Sequence, residues 1–160
     1  MISKIKNQLN ETAEILSTVD KNLGTEYAQW TKNKAIIKFN KKIPTFPITN
    51  NYIYWCNLGI NIGSEQNGTR PVIIIQNDIG NKYAQTAIIV PLTKIIANKV
   101  KQPTHCIISP TDNLKHYSVA LTEQIRVIDK SRLKTKIGRL NDTQIKDLDK
   151  AIITALNLKG

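Results

Sequence analysis

The sequence is poor in residues that bind metals or form disulfides. Its 160 residues include only two cysteines, Cys56 and Cys106, and two histidines, His105 and His116. No Cys-x-x-Cys pair is present, and no spacing brings His, Cys and carboxylate residues into a ligand cluster. We therefore expect no metal and no cofactor. Because the two cysteines lie far apart in apolar stretches, we expect both to be reduced residues of the core.

Long apolar runs are also absent. The longest have the length of a strand, far below the roughly 20 residues that span a bilayer. The N-terminus alternates lysine with polar residues where a signal peptide would be apolar. The length suggests one domain, with room for an appendage. The expectation is a cytoplasmic protein that does not bind membranes.

Acidic residues are scarce relative to basic ones. Lys and Arg number 23 and Asp and Glu number 12, so the net charge is 23 − 12 = +11. Such an excess favours polyanionic partners such as nucleic acids. Residues 130–139 contain five basic side chains and no acid, which suits a segment that follows a phosphate backbone. The alternative is a solvated loop. The five are Lys130, Arg132, Lys134, Lys136 and Arg139.

The N-terminal segment has the pattern of a helical extension. Residues at heptad a and d positions are apolar over about three repeats, except for Thr12. This predicts a helix that stops at Gly24 and a second helix from Thr25 to about residue 38. The extension either packs on its own domain or forms an arm for dimerisation or partner binding. A proline-containing linker follows at residues 40–51, and we place the boundary between an extension, 1–45, and a domain, 46–160.

The domain is predicted to be mainly β. Apolar runs predict about five strands with short connections and no alternating helices, which favours a small antiparallel barrel. The predicted strands are residues 53–58, 71–76, 86–92, 104–108 and 118–128. Asn141 and Gln144 fit a capping box that begins a final helix ending near residue 157. One apolar stripe along that helix should pack against the sheet.

The candidate site is the polar loop that precedes the strand at residues 72–75. Glu65 and Arg70 are its chemically capable groups, and Asn67-Gly68 is a tight-turn signal. The loop is not a phosphate-binding Walker motif, because it lacks the Gly-Lys-Ser/Thr ending and precedes a strand. His105 and Cys106 are adjacent, but side chains of neighbouring strand residues point to opposite faces, so they do not form a nucleophile–base pair.

A second polar group falls in the last predicted strand. The sequence Glu123-Gln124-Ile125-Arg126 places polar residues where apolar ones would normally alternate. One reading is that Gln124 faces a groove beside Arg70. The other is that Glu123 and Arg126 pair with neighbouring strands for purely structural reasons.

Several of these stretches together resemble the MazF/PemK toxin family over about residues 52–158. The motifs, in order, are Ile-Tyr-Trp at 53–55, Gly-Ser-Glu-Gln-Asn-Gly-Thr-Arg-Pro-Val at 63–72, Gln-Asn-Asp-Ile-Gly-Asn at 76–81, Pro-Leu-Thr at 91–93, Pro-Thr-His at 103–105 and Glu-Gln-Ile-Arg at 123–126. The chain departs from the family at Asn51-Tyr52, where Gly-Asp or Gly-Glu is usual. Its first 45 residues lie outside the family's core domain, which leaves open the oligomer geometry and the way a partner docks.

The resemblance implies an SH3-like small barrel that forms a homodimer. It also implies a sequence-specific endoribonuclease that cleaves single-stranded mRNA without metal, by attack of a ribose 2′-hydroxyl on the adjacent phosphate. A cognate antitoxin would neutralise it by placing a disordered tail in the RNA groove. Because the same fold hosts other functions, the alternative is a non-catalytic relative that binds operator DNA with its antitoxin or poisons a topoisomerase.

The resemblance also implies roles for particular residues. Arg70 and Thr93 match the acid–base pair of similar family members, and Glu65 and Gln124 align with groove residues important in relatives, so these four are the candidate catalytic residues. The fixed charge and forked geometry of Arg70 suit phosphate stabilisation best. Glu65 is open to four readings: a base, an orienter of Arg70, a reader of RNA bases, or a loop-stabilising carboxylate. The candidate RNA contacts are Ser64, Gln66, Asn67, Gly68, Tyr83 and His105.

Overall fold

A computed structural model describes residues 2–19, 21–40, 43–95, 102–111 and 113–159. The chain divides into two compact units, Met1–Lys41 and Lys42–Gly160. The first is helical and the second is mainly β, so each is described separately.

The N-terminal unit consists of two helices, α1 (Ile2–Thr18) and α2 (Lys21–Phe39). The predicted pair of helices is therefore present, but the predicted stop at Gly24 is wrong, because Gly24 lies inside α2. A Cβ atom at Gly24 would lie 2.8 Å from the carbonyl oxygen of Leu16. The glycine thus permits a close approach of α2 to the end of α1. No residue of α1 is buried, and the apolar seam stays exposed at Ile2, Ile5 and Leu9.

The described residues of the second unit form seven strands and two helices. Its elements are β1 (Tyr52–Asn57), β2 (Thr69–Ile74), α3 (Asp78–Tyr83), β3 (Thr86–Lys94), β4 (His105–Ile108), β5 (Ser118–Leu121), β6 (Arg126–Asp129), β7 (Leu133–Arg139) and α4 (Asp142–Leu156). The sheet order is β4-β5-β3-β2-β1-β7, with β6 also paired to β3, and every pair is antiparallel. The predicted antiparallel sheet with a C-terminal helix is confirmed. The sheet is not closed, because β4 and β7 at its ends do not pair in the described part of the chain.

The predicted strand at 118–128 is interrupted by a 3₁₀ turn, Thr122–Gln124. The interruption lets the chain change position along β3, since β5 pairs with residues 92–94 of β3 and β6 with residues 86–89. The hydroxyl of Thr122 fixes the turn by donating to the carbonyls of Thr104 and Ala151, at 2.5 and 3.1 Å. Glu123 and Gln124 therefore project from a turn, and their polarity does not interrupt a strand.

Two other connections also have regular structure. Residues 77–85, which connect the strands predicted at 71–76 and 86–92, contain α3, and residues 130–139 form a second 3₁₀ turn, Lys130–Arg132, followed by β7. Residues 96–101, in the connection between the strands predicted at 86–92 and 104–108, lie outside the described residues.

Apolar side chains cover both faces of the central strands. On one face, Ile73 of β2 joins a cluster that includes Leu148 of α4, and on the other face Val72 and Ile74 join a second cluster. β2 is therefore buried on both sides and forms a rigid support for the loop before it. The capping box of α4 is confirmed: Asn141 and Gln144 exchange two hydrogen bonds of 2.9 Å each.

Both cysteines are buried and free, as predicted. Burial raises the pKa of Cys56 to about 12 and that of Cys106 to about 11, so both are neutral thiols. No helix among the described residues is long and apolar enough to cross a membrane.

Candidate active site

Arg70 and Thr93 lie on neighbouring strands and face each other. β2 and β3 pair in a register that sets Val72 against Pro91 and, continued by two residues, sets Arg70 against Thr93. Nη1 of Arg70 is 3.5 Å from Oγ1 of Thr93, and Nε donates to the carbonyl oxygen of Asn67 at 2.6 Å. The guanidinium is thus oriented by its own loop and lies beside a hydroxyl. This is the predicted catalytic pair.

The loop at residues 59–68 is closed at its base by backbone hydrogen bonds. The amide of Gly68 donates to the carbonyl of Gly59 at 2.7 Å, and the amide of Leu58 donates to the carbonyl of Gly68 at 2.8 Å. Gly68 has a φ of 75°, a left-handed conformation that glycine adopts at little cost. Across the loop, the amide of Asn61 donates to Oδ1 of Asn67 at 2.7 Å. These bonds make the loop a defined structure.

Gln124 fastens the same loop from the 3₁₀ turn. Its Oε1 accepts a hydrogen bond from the amide of Gln66 at 2.8 Å, and its Nε2 donates to the carbonyl of Ser64 at 3.1 Å. Both ends of the side-chain amide are therefore bound to loop backbone. Gln124 and Arg70 hold successive residues of one loop, Gln66 and Asn67.

The loop separates two cavities. The first, here called the arginine cavity, has a volume of about 600 Å³ and is lined by Asn67, Gly68, Arg70 and Thr93, among others. The second, the glutamate cavity, has a volume of about 670 Å³ and is lined by Ser64, Glu65, Glu123, Gln124 and Arg126, among others. The four predicted catalytic residues thus fall into two pairs. Arg70 lies with Thr93, and Glu65 lies with Gln124.

Three predicted RNA contacts do not line either cavity. Gln66 lies in the loop between them, and its side-chain Oε1 is buried with no hydrogen-bond partner among the described residues. His105 lies on β4 with its Nε2 3.2 Å from Oε1 of Glu123. Tyr83 is exposed in the last turn of α3, so the length of β2 separates it from Arg70. The roles of these three residues stay predictions.

Cationic side chains gather around Cys56, which pairs with Arg70 between β1 and β2. Cys56 of β1 pairs with Arg70 in register, and Arg126, Arg132 and Lys134 lie near enough to Cys56 to lower the pKa of its thiol, against the larger effect of burial. Nζ of Lys134 is also 3.4 Å from Oγ1 of Thr69. This part of the surface is suited to a polyanion.

The basic side chains of residues 130–139 lie in different environments, one buried and others exposed. Lys130 is buried, and its ammonium group donates to the carbonyl oxygens of Asn81 and Ala84 at the end of α3, the latter at 2.5 Å. Burial lowers the pKa of Lys130. The prediction that Lys130 follows a phosphate backbone is therefore wrong. Lys134, Lys136 and Arg139 are exposed on β7.

The sequence did not predict the wall of the arginine cavity that faces the loop. Lys94 at the end of β3 and Asn113, Lys115 and His116 from the β4–β5 connection contribute to it. Their proximity to Arg70 depends on strand pairing between distant segments, which no local pattern encodes. No group of His, Cys, Asp and Glu residues in the described part of the chain could hold a metal ion.

The sequence is similar to that of a known protein family and of a known endoribonuclease. Residues 50–156 match the family model described as "PemK-like, MazF-like toxin of type II toxin-antitoxin system". The protein "Endoribonuclease MazF" of Staphylococcus saprophyticus is 48% identical over 107 residues, which cover 66% of this chain and 88% of that protein.

Solved structures show the same fold. A MazF structure from Deinococcus radiodurans gives a TM-score of 0.59 at 18% identity, covering 74% of this chain and all of the other. A mycobacterial endoribonuclease in complex with its cognate antitoxin gives a TM-score of 0.55 at 24% identity, covering 71% of this chain and 97% of the other. Since the family model spans most of the chain, this protein belongs to the PemK-like, MazF-like family of type II toxin–antitoxin toxins.

Proposed function

We propose that this protein is the toxin of a type II toxin–antitoxin system and a sequence-specific endoribonuclease that cleaves single-stranded mRNA without a metal ion. The observation that carries the proposal is the Arg70–Thr93 pair inside the arginine cavity. Family membership and the endoribonuclease relative at 48% identity support it.

The reaction is an attack of a ribose 2′-oxygen on the adjacent phosphorus, which expels the 5′-oxygen of the next nucleotide. It builds negative charge on the phosphate oxygens and requires one proton acceptor and one proton donor. Arg70 supplies fixed positive charge and a forked set of donors, which match a crowded phosphate. Its contacts with Asn67 and Thr93 set its orientation before substrate binds, so little reorganisation is needed during the reaction.

Glu65 and Gln124 act in RNA binding. Both line the glutamate cavity on the other side of the loop. Gln124 positions the loop, while the carboxylate of Glu65, as an acceptor, reads donor groups on an unstacked base. Ser64, Gln66, Asn67 and Gly68 contact the same strand through the loop. His105 and Tyr83 extend the contacts outside the two cavities.

The cationic surface around Arg70 makes binding depend on salt. Each phosphate neutralised on a single strand contributes about −0.7 to the slope of log affinity against log salt concentration. Contacts by Arg126, Arg132 and Lys134 would therefore produce a slope of about −2 from these three residues alone.

Family membership supports the proposed partners. We propose a homodimer in the cytoplasm, neutralised by a cognate antitoxin, with operator DNA bound in the presence of the antitoxin. The division into an N-terminal extension at 1–45 and a toxin domain at 46–160 is part of this proposal, with catalysis confined to the domain.

The test is incubation of the purified protein with a long single-stranded RNA and a chelator. We expect discrete cuts, and an Arg70→Ala variant should lose about 10²–10³-fold in rate, as when a donor to a developing anion is removed. Lys146→Ala on the exposed side of α4 is the control and should cut normally. Intact RNA, or equal cutting by the Arg70 variant, would contradict the proposal. Binding to operator DNA without RNA cleavage would favour a repressor.

A further inference from the structure

The described residues of the β4–β5 connection form a wall of the arginine cavity. Thr111 and Leu114 exchange backbone hydrogen bonds of 3.0 and 3.1 Å, and Leu114 is buried in the core. The side-chain amide of Asn113 donates to the carbonyl of Ile137 at 3.1 Å, and the hydroxyl of Ser118 donates to the carbonyl of His116 at 3.2 Å. The connection is thus tied to the core, to β7 and to β5. It presents Lys115 and His116 to the cavity that contains Arg70 and Thr93.

The chemistry of RNA cleavage also needs a proton donor at the leaving oxygen, in addition to the charge that Arg70 brings to the phosphate. The leaving 5′-oxygen is an alkoxide, so breaking its bond to phosphorus is strongly assisted by a proton donor. Arg70, Lys94 and Lys115 bring positive charge to the cavity, and Thr93 brings a neutral hydroxyl. No Asp or Glu is among the described residues that line the cavity. An imidazole is the side-chain group that gains and releases a proton most readily between pH 5 and 8.

We propose that His116 is a catalytic residue that protonates the leaving 5′-oxygen. This inference rests on the proposed function. In the step, the 2′-oxygen forms a bond to phosphorus and gives up its proton to solvent water, while the bond between phosphorus and the 5′-oxygen breaks. The imidazolium of His116 transfers its proton to that oxygen, and the products are a 2′,3′-cyclic phosphate and a 5′-hydroxyl. Arg70 stabilises the phosphate charge in the same step.

The test compares two substrates in single-turnover reactions with enzyme in excess. A site cut by the wild type is first mapped on a long RNA, and a short RNA with that site is made in two forms, with oxygen or sulfur as the bridging 5′ atom. A thiolate leaves without a proton. We expect His116→Gln to cut the oxygen substrate at least about 10²-fold more slowly than the wild type, and to cut the sulfur substrate at nearly the same rate.

Tyr117→Gln is the matched control, because Tyr117 lies next to His116, is exposed and does not line the cavity. It should cut both substrates normally. Equal losses on the two substrates, or no loss on the oxygen substrate, would overturn the role of His116. If the loss on the oxygen substrate comes from missing imidazole, adding imidazole to His116→Ala should restore part of the rate. A wild type that leaves all RNA uncut would refute the proposed function itself, which distinguishes the two failures.

Discussion

Replacing Gln124 with alanine should release the loop while leaving the sheet folded. The substitution removes the two hydrogen bonds that join the 3₁₀ turn to Gln66 and Ser64, at 2.8 and 3.1 Å. At about 0.5–1.5 kcal/mol each, the pair stabilises the closed loop by about 2 kcal/mol. That corresponds to a shift of about 30-fold in the equilibrium between closed and open loop. The loop keeps its own internal bonds, so we expect increased opening and not complete loss of structure.

Hydrogen exchange followed by mass spectrometry measures this effect at the loop. The amide of Gln66 should exchange up to about 30-fold faster in Gln124→Ala, while amides of β2 exchange as in the wild type. RNA cleavage should slow in parallel. Gln124→Glu separates the two bonds, since its carboxylate still accepts from the amide of Gln66 but has no donor for the carbonyl of Ser64. Its Gln66 amide should therefore stay protected.

Gln29→Ala is the control. Its side chain bonds to Asn33 within α2, in the other unit of the chain. It should change neither loop exchange nor cleavage. Unchanged exchange of the Gln66 amide in Gln124→Ala would refute the reasoning, because it would mean that the loop's internal bonds alone hold it closed.

Three further predictions concern other parts of the molecule. Asn141→Ala removes the capping box of α4 and should cost about 1 kcal/mol, a fall of about 2–4 °C in the midpoint of thermal unfolding, with Asn10→Ala in α1 as an uncapped control. Burial raises the pKa of Cys56 from 9.0 to about 12, so the folded state keeps this thiol neutral where the unfolded state ionises it. The stabilisation is therefore fully present below pH 9 and is lost as the pH rises from 9 toward 12. Urea unfolding should therefore show stability falling by up to about 1.4 kcal/mol per pH unit above 9, and less steeply in Cys56→Ala. Deleting residues 1–42 should leave RNA cleavage intact and change association or antitoxin affinity. Lost cleavage by a folded deletion variant would contradict this.

Sequence patterns were most informative where the relevant contacts are local. The capping box spans four residues, and the polar loop followed by a β-branched run gave β2 and Arg70 directly. Gly24 shows the limit of local rules. Glycine normally ends a helix, but here the nearby carbonyl of Leu16 leaves no room for a side chain, so glycine is required within α2.

Charge patterns were the least informative. Lys130 belongs to a basic run that reads as solvent-exposed, yet the carbonyls at the end of α3 bind its ammonium group in the interior. Likewise, the polar residues Glu123 and Gln124 were predicted to lie in a strand, but they lie in the 3₁₀ turn. The turn is needed because β5 and β6 pair with different parts of β3, and that pairing is a property of the whole sheet. The placement of His116 in the same cavity as Arg70 also depends on this pairing and not on neighbouring residues.

The fastening of the loop by Gln124 has a consequence for synthesis on the ribosome. The loop residues Gln66 and Ser64 are translated 58 and 60 residues before the side chain that holds them. A nascent chain that has emerged only through β3 contains Arg70, Thr93 and the internal bonds of the loop, but not the two bonds that Gln124 adds. The site is completed only when the turn before β6 has emerged, so a ribosome-bound toxin would acquire activity only after Gln124 has left the exit tunnel, well after Arg70 and Thr93.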